Sequence, residues 1–156
     1  MPSSSYAEST LGVVRSLARR DSKHPEIRLL AQEITHDALP YDQAAEAEAL
    51  QAFVRDQIRY VRDVYGVETV QSPRLTLRTG SGDCDDKTGL LASLLYAVGF
   101  PVRYVLAATN PRQPNSYSHI YPEAALRGRG WCALETIIPG MSAGERVRSF
   151  RTHKET

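Results

Sequence analysis

A chain of 156 residues with 42% hydrophobic and 24% charged side chains has enough apolar material for one self-sufficient core, and it is too ordinary in composition for a disordered chain, a collagen-like repeat or a disulfide scaffold. Nineteen basic against eighteen acidic residues leave a net charge of +1, too small for the field that non-specific nucleic-acid or membrane-surface binding needs, so neither is expected as a partner. No apolar run approaches the ~20 residues of a membrane span, and the polar start from Met1 to Thr10 lacks a secretory pattern; the expectation is a reducing, cytoplasmic setting with Cys84 and Cys132 as separate thiols.

The elements read as follows. Leu11, Val14, Leu17 and Ala18 repeat at helical spacing and predict a short first helix. Pro25 suits the first turn of a second, whose apolar face is Ile27, Leu30, Ala31, Ile34 and Ala38 and whose end is marked by Pro40. Asp42 caps a third helix with Leu50, Phe53, Val54, Ile58 and Val61 as its buried stripe and Gly66 as its stop. No helical period is visible between Val67 and Gly82. Asp83 then serves as N-cap of a further helix, with Cys84 at its first position and Asp86 closing a capping box. Leu90, Leu91, Leu94, Leu95 and Val98 form its core face, and Gly99 ends it.

After Pro101 the pattern becomes strand-like through Val102, Tyr104 and Val105, and residues 117 to 123 and 131 to 137 read as two more strands joined across Gly128 to Gly130. The expected fold class is α+β: N-terminal helices and a central Cys-bearing helix packed on a small antiparallel sheet. As domains, 1–156 is one unit, with N-terminal helices over 1–40, a core over 41–140 and a polar, mildly basic, solvated tail over 141–156.

A cysteine at a helix N-terminus sits where unpaired N–H groups and the macrodipole favour a thiolate, although Asp83, Asp85 and Asp86 oppose it. Cys84 therefore needs an imidazole. His24 and His36 belong to the first helices and His153 to the tail, which leaves His119, in a predicted strand, as the base. A mirror-order hairpin with 117 opposite 137 puts His119 directly across from Glu135, and it sends Cys132 to the other face with Ile120 and Leu134. Cys84, His119 and Glu135 then make up a thiol, an imidazole and a carboxylate that fixes the imidazole's tautomer. The Cys84 backbone N–H is a candidate oxyanion donor and Gln71 a candidate side-chain donor, while Trp131 and Tyr121 are candidates to wall the groove or to serve as half-buried sheet aromatics.

The blocks Gly82-Asp83-Cys84-Asp85-Asp86-Lys87, Ser118-His119-Ile120-Tyr121-Pro122-Glu123 and Trp131-Cys132-Ala133-Leu134-Glu135, in that order, resemble the three motif blocks of the transglutaminase-like cysteine superfamily. Ile58 to Asp63 and Val98 to Arg103 resemble the flanking helix and strand of its small bacterial and phage-encoded members. The resemblance implies a papain-like core with Cys84 as nucleophile, His119 as base, and Glu135 in a position that usually carries Asp; it implies no calcium-activated crosslinking.

Other chemistries fit poorly. A phosphate loop over Gly80 to Thr88 has Asp86 where glycine is needed and three carboxylates facing the phosphate, an EF-hand starting at Asp83 would have Lys87 at its fifth position, and a Cys84, His119, Cys132 zinc site lacks paired ligands. No cofactor or metal is expected. The expected activity is acyl transfer through a Cys84 thioester on a peptide or protein amide, either peptide or isopeptide hydrolysis or transglutaminase-type exchange. The alternative is a non-catalytic scaffold or assembly domain, of a kind a phage or prophage structural operon would carry.

Overall fold

The computed structural model describes residues 4–62 and 69–156 and has an α+β architecture. Helices α1 (Ser4–Asp21), α2 (Pro25–Thr35) and α3 (Gln43–Gln57) precede a short strand β1 (Arg59–Tyr60). Then come α4 (Pro73–Thr79), β2 (Ser81–Gly82), α5 (Cys84–Ala97) and four strands, β3 (Val102–Ala108), β4 (His119–Leu126), β5 (Gly130–Ala133) and β6 (Arg151–Glu155). The four strands form an antiparallel sheet in the order β5-β4-β3-β6, and β1 and β2 form a separate parallel pair.

Helix α5 is the centre of the molecule: α1, α2, α3 and α4 all pack on it, and its remaining side meets β4 and β3. Eleven of its fourteen residues are buried, including Leu90, Leu91, Leu94 and Leu95 at full burial. A buried leucine contributes about 2 kcal/mol and a cap about 1 kcal/mol, so burial decides that this helix forms and the cap decides where it begins. The sheet turns Val102, Tyr104, Leu106, Ile120 and Ala124 toward the helices. Its other face carries Val105, Ala107, Tyr121 and Ala133, over which Val147 lies.

Several sequence expectations change: α1, expected to be short, runs for 18 residues, and α2 ends at Thr35 rather than at Pro40. Helix α3 stops at Gln57 because the chain then pairs with β2, Arg59 N–H donating to Gly80 O and Val61 N–H to Gly82 O, both at 2.9 Å; Val61 is consequently 42% exposed rather than in the buried stripe. The proposed stop at Gly66 lies outside the described residues. Helix α4 falls where no helical period is visible. Two turns are too short to show one, and the signal is local, with Ser72 accepting from Leu75 N–H and Pro73 filling the first turn. The C-terminal segment is no solvated tail, since β6 hydrogen-bonds along β3 and Glu155 pairs with Arg15 on α1. Finally, the β4–β5 register places Glu123 opposite Ala133, two residues away from the expected pairing.

Lys87 ties α5 to α3. Its ammonium is 1% exposed and donates to Ile58 O at 2.7 Å and Arg55 O at 3.3 Å, capping the carbonyl end of α3 where the helix dipole favours a cation. Burial lowers its pKa from 10.5 to about 8, against a smaller upward pull from Asp56. The unfolded chain keeps this proton up to the higher value and the folded chain releases it above the lower one, so Lys87 makes the fold gain stability as pH rises through that interval. The full span corresponds to about 3 kcal/mol. Denaturant titrations at pH 7.5 and 10.5 should show wild type gaining on Lys87→Met by up to about that amount; a constant difference would contradict a titrating buried ammonium.

Candidate active site

The site begins with how the first turn of α5 is satisfied. Asp83 Oδ1 accepts from Asp86 N–H at 3.0 Å and Asp86 Oδ2 accepts from Asp83 N–H at 3.2 Å, completing the expected capping box. Asp86 also accepts from Gln71, whose backbone N–H reaches Oδ1 at 2.8 Å and whose amide reaches Oδ2 at 3.0 Å. A Cβ on Gly82 would stand 2.6 Å from the Asp86 Cβ, so only glycine lets the Asp86 side chain fold back beneath the loop. Gln71, a candidate oxyanion donor, is committed elsewhere: its amide points at Asp86 and at Ser81 O rather than at the thiol.

This turn presents Cys84 to the edge of β4. Strand β5 ends at Ala133, and past the bond from Leu134 N–H to Pro122 O the Ile120 carbonyl accepts from Thr88 of α5 at 3.2 Å. Cys84 is a partly exposed residue whose sulfur lies at the Ile120 backbone N–H, one residue along from His119. Burial raises the thiol pKa well above its ordinary value, the charges of Asp85 and then Asp83 add to this, and the Ile120 and Asp85 backbone N–H groups offset part of it. The sulfur is 4.0 Å from Asp85 Oδ1.

His119 and Glu135 are both buried, and the imidazole Nε2 lies 2.9 and 2.8 Å from the two Glu135 carboxylate oxygens. Direct cross-strand pairing does not produce this contact. With Glu123 opposite Ala133, Glu135 falls beyond the strand end and meets His119 diagonally. The slip is an even number of residues, so the two remain on the face of Tyr121 and Ala133, while Cys132 packs with the helix-side core. A diagonal pair is about 7 Å apart at the backbone, and a glutamate, one methylene longer than aspartate, spans it. A carboxylate on Nε2 fixes the proton there in the neutral ring, leaving Nδ1 as the acceptor.

Tyr121 is 3% exposed and stacks at a tilt on His119 with ring centroids 5.7 Å apart, so it backs the imidazole rather than walling an open groove. Trp131 lies farther along, under the Arg103 guanidinium, which is paired with the buried Glu123. Among the described residues no cluster of histidine, cysteine and carboxylate could hold a metal ion.

Two residues with no role assigned from sequence stand beside these groups. Tyr60 stands opposite Gly82 in the β1–β2 pair; burial and then the charges of Cys84 and Asp83 push its hydroxyl up against the pull of Arg62, which puts it in the field of the thiol. Gln51 of α3 donates to the Glu135 carbonyl at 3.0 Å. Its signal in the sequence is an amide at a position of the apolar stripe formed by Ala47, Leu50, Val54 and Ile58.

Replacing the nearest opposing charge tests the electrostatics. Asp85→Asn should lower the Cys84 pKa and speed its alkylation at pH 7 by about tenfold. An unchanged rate would mean that Asp85 does not set the thiol's charge state.

No curated protein matches the chain. Among solved structures it is similar to a candidate protease from Parabacteroides distasonis, with a TM-score of 0.62 and 15% identity over 81% of this chain and 26% of that one. A candidate cysteine protease from Cytophaga hutchinsonii gives 0.56 and 18% over 83% of this chain and 50% of that one, and LapG from Legionella pneumophila gives 0.55 and 18% over 83% and 76%. The chain thus spans about a quarter and half of the first two, and these likenesses establish the fold. Among the described residues no helix is long and apolar enough to cross a membrane. The model of one family matches residues 28–136, the stretch that runs from α2 through the Cys84 turn and His119 to the residue after Glu135, and the chain belongs to that family, the transglutaminase-like superfamily.

Proposed function

We propose that the protein is a cysteine hydrolase of peptide or isopeptide bonds that works through a Cys84 thioester. The observation that carries the reading is the buried His119–Glu135 pair, next to the stretch of β4 on which the Cys84 turn is docked. Because Asp83 and Asp85 disfavour a standing thiolate, the Cys84 proton passes to His119 Nδ1 as the sulfur attacks the amide carbonyl. The oxyanion is held by the Cys84 N–H, since the capping box occupies the N–H groups of Asp83 and Asp86. As the C–N bond breaks, His119 gives its proton to the departing amine, leaving the acyl group on sulfur. Water then attacks the thioester, His119 takes the water's proton and returns it to the sulfur, and a carboxylic acid is released; an amine in place of water gives amide exchange. The membership of the superfamily and the fold shared with a candidate protease and a candidate cysteine protease support this chemistry.

One observation favours a second reading, a non-catalytic scaffold: the thiol's own surroundings hold it protonated. The two readings differ in which cysteine reacts first. Cys132 is also partly exposed, and its thiol is raised chiefly by burial. If His119 takes the Cys84 proton, limiting iodoacetamide at pH 7 should label Cys84 first, and His119→Ala should slow it by about a hundredfold and make Cys132 the faster thiol. Cys132 ahead of Cys84 in wild type would establish the scaffold reading.

The diagonal geometry gives a second expectation. Glu135→Asp loses the reach to His119 and should slow Cys84 alkylation by about tenfold, whereas a faster reaction would mean that glutamate is the weaker partner here.

A further inference from the structure

We propose that Gln51 is a positioning residue that sets the Glu135 carboxylate against His119, an inference that rests on the reading of the site given above. Glu135 lies past the end of β5, one residue beyond the backbone bond from Leu134 N–H to Pro122 O. Its carbonyl is held by Gln51, a residue 1% exposed on α3 and 84 positions earlier in the chain, whose amide donates to Glu135 O at 3.0 Å and to Met141 O at 3.4 Å. Arg55, one turn on, donates to Met141 O at 2.9 Å. An amide placed among Ala47, Leu50, Val54 and Ile58 is destabilising unless it is paired, and these two carbonyls pair it.

The placement matters because of where α3 is itself anchored. Lys87, three residues after Cys84 on α5, caps the end of α3 through Ile58 O and Arg55 O. Hydrogen bonds thus run from the nucleophile's helix through Lys87 to α3, and from α3 through Gln51 to the residue that orients the base. The carboxylate must reach Nε2 across a diagonal, and displacing its backbone by about 1 Å is enough to take it out of hydrogen-bond range. Gln51 touches neither His119 nor a reacting atom; it acts through Glu135.

A double-mutant cycle on the full chain tests this, reading Cys84 alkylation by iodoacetamide at pH 7 together with the ¹⁵N shift of His119 Nε2. Gln51→Leu, close in volume but without donors, should slow alkylation by about tenfold and move the Nε2 shift toward that of Glu135→Gln. In the Glu135→Gln background the same substitution should add no further slowing, because the carboxylate it positions is already gone. Equal slowing in both backgrounds, or no slowing in wild type, overturns the role of Gln51. If Glu135→Gln itself leaves the rate unchanged, the reading of the site falls and takes this inference with it. Gln51→Asn keeps an amide too short for the Glu135 carbonyl; should Gln51→Leu not fold, the cycle is run with Gln51→Asn and the same outcomes decide.

Discussion

A helix buried on every side must still have a defined start, and this protein fixes it with a reciprocal pair of carboxylates. Asp86 accepts three hydrogen bonds, from the backbone of Asp83 and from the backbone and side chain of Gln71, while Asp83 returns a bond to the Asp86 N–H. The arrangement costs a side chain at position 82, where the loop backbone and the Asp86 Cβ come too close for anything but hydrogen. It leaves Cys84 as the first residue of a helix whose start cannot slide, and the rest of the site is built on that fixed point.

Around it the groups of the candidate site arrive from separate elements, each by a different kind of contact. His119 comes with β4, whose edge becomes available to α5 because β5 is short. Glu135 comes from the extended chain after β5, and Tyr60 from the small parallel pair that runs beside the Asp83 loop. The electrostatics are divided. Asp83 and Asp85 work against a thiolate, and the Ile120 N–H works for it. These surroundings favour the neutral thiol, the form less open to adventitious oxidation.

The parts legible in the sequence were those with a local or periodic cause. The Asp83 cap, the leucine face of α5 and the identity of the capping-box partner follow from residues within one or two turns of each other. The face shared by His119 and Glu135 was legible because side chains in a strand alternate with a period of two, which survives a register error of two. The register itself was not, since it depends on where β5 ends and how the chain leaves it. Nor was α4, too short for a period, or β6, whose residues Arg151 to Glu155 look solvated in sequence and become a strand only because β3 offers an edge. Gln71 shows the limit from the other side: its residue type suits an oxyanion donor, and only the fold reveals that Asp86 has claimed it.

The central place of α5 has a consequence for how the molecule opens. Lids and loops that serve many active sites fluctuate independently of the body that carries them, but here the residue bearing the sulfur begins the helix on which α1, α2, α3 and α4 all rest. The amides of α5 should therefore fall in the slowest-exchanging class, and no small, cheap excursion frees Cys84 while leaving the core intact. Loss of the Cys84 turn and global melting should then be one cooperative event, at the temperature at which the whole helical layer comes apart.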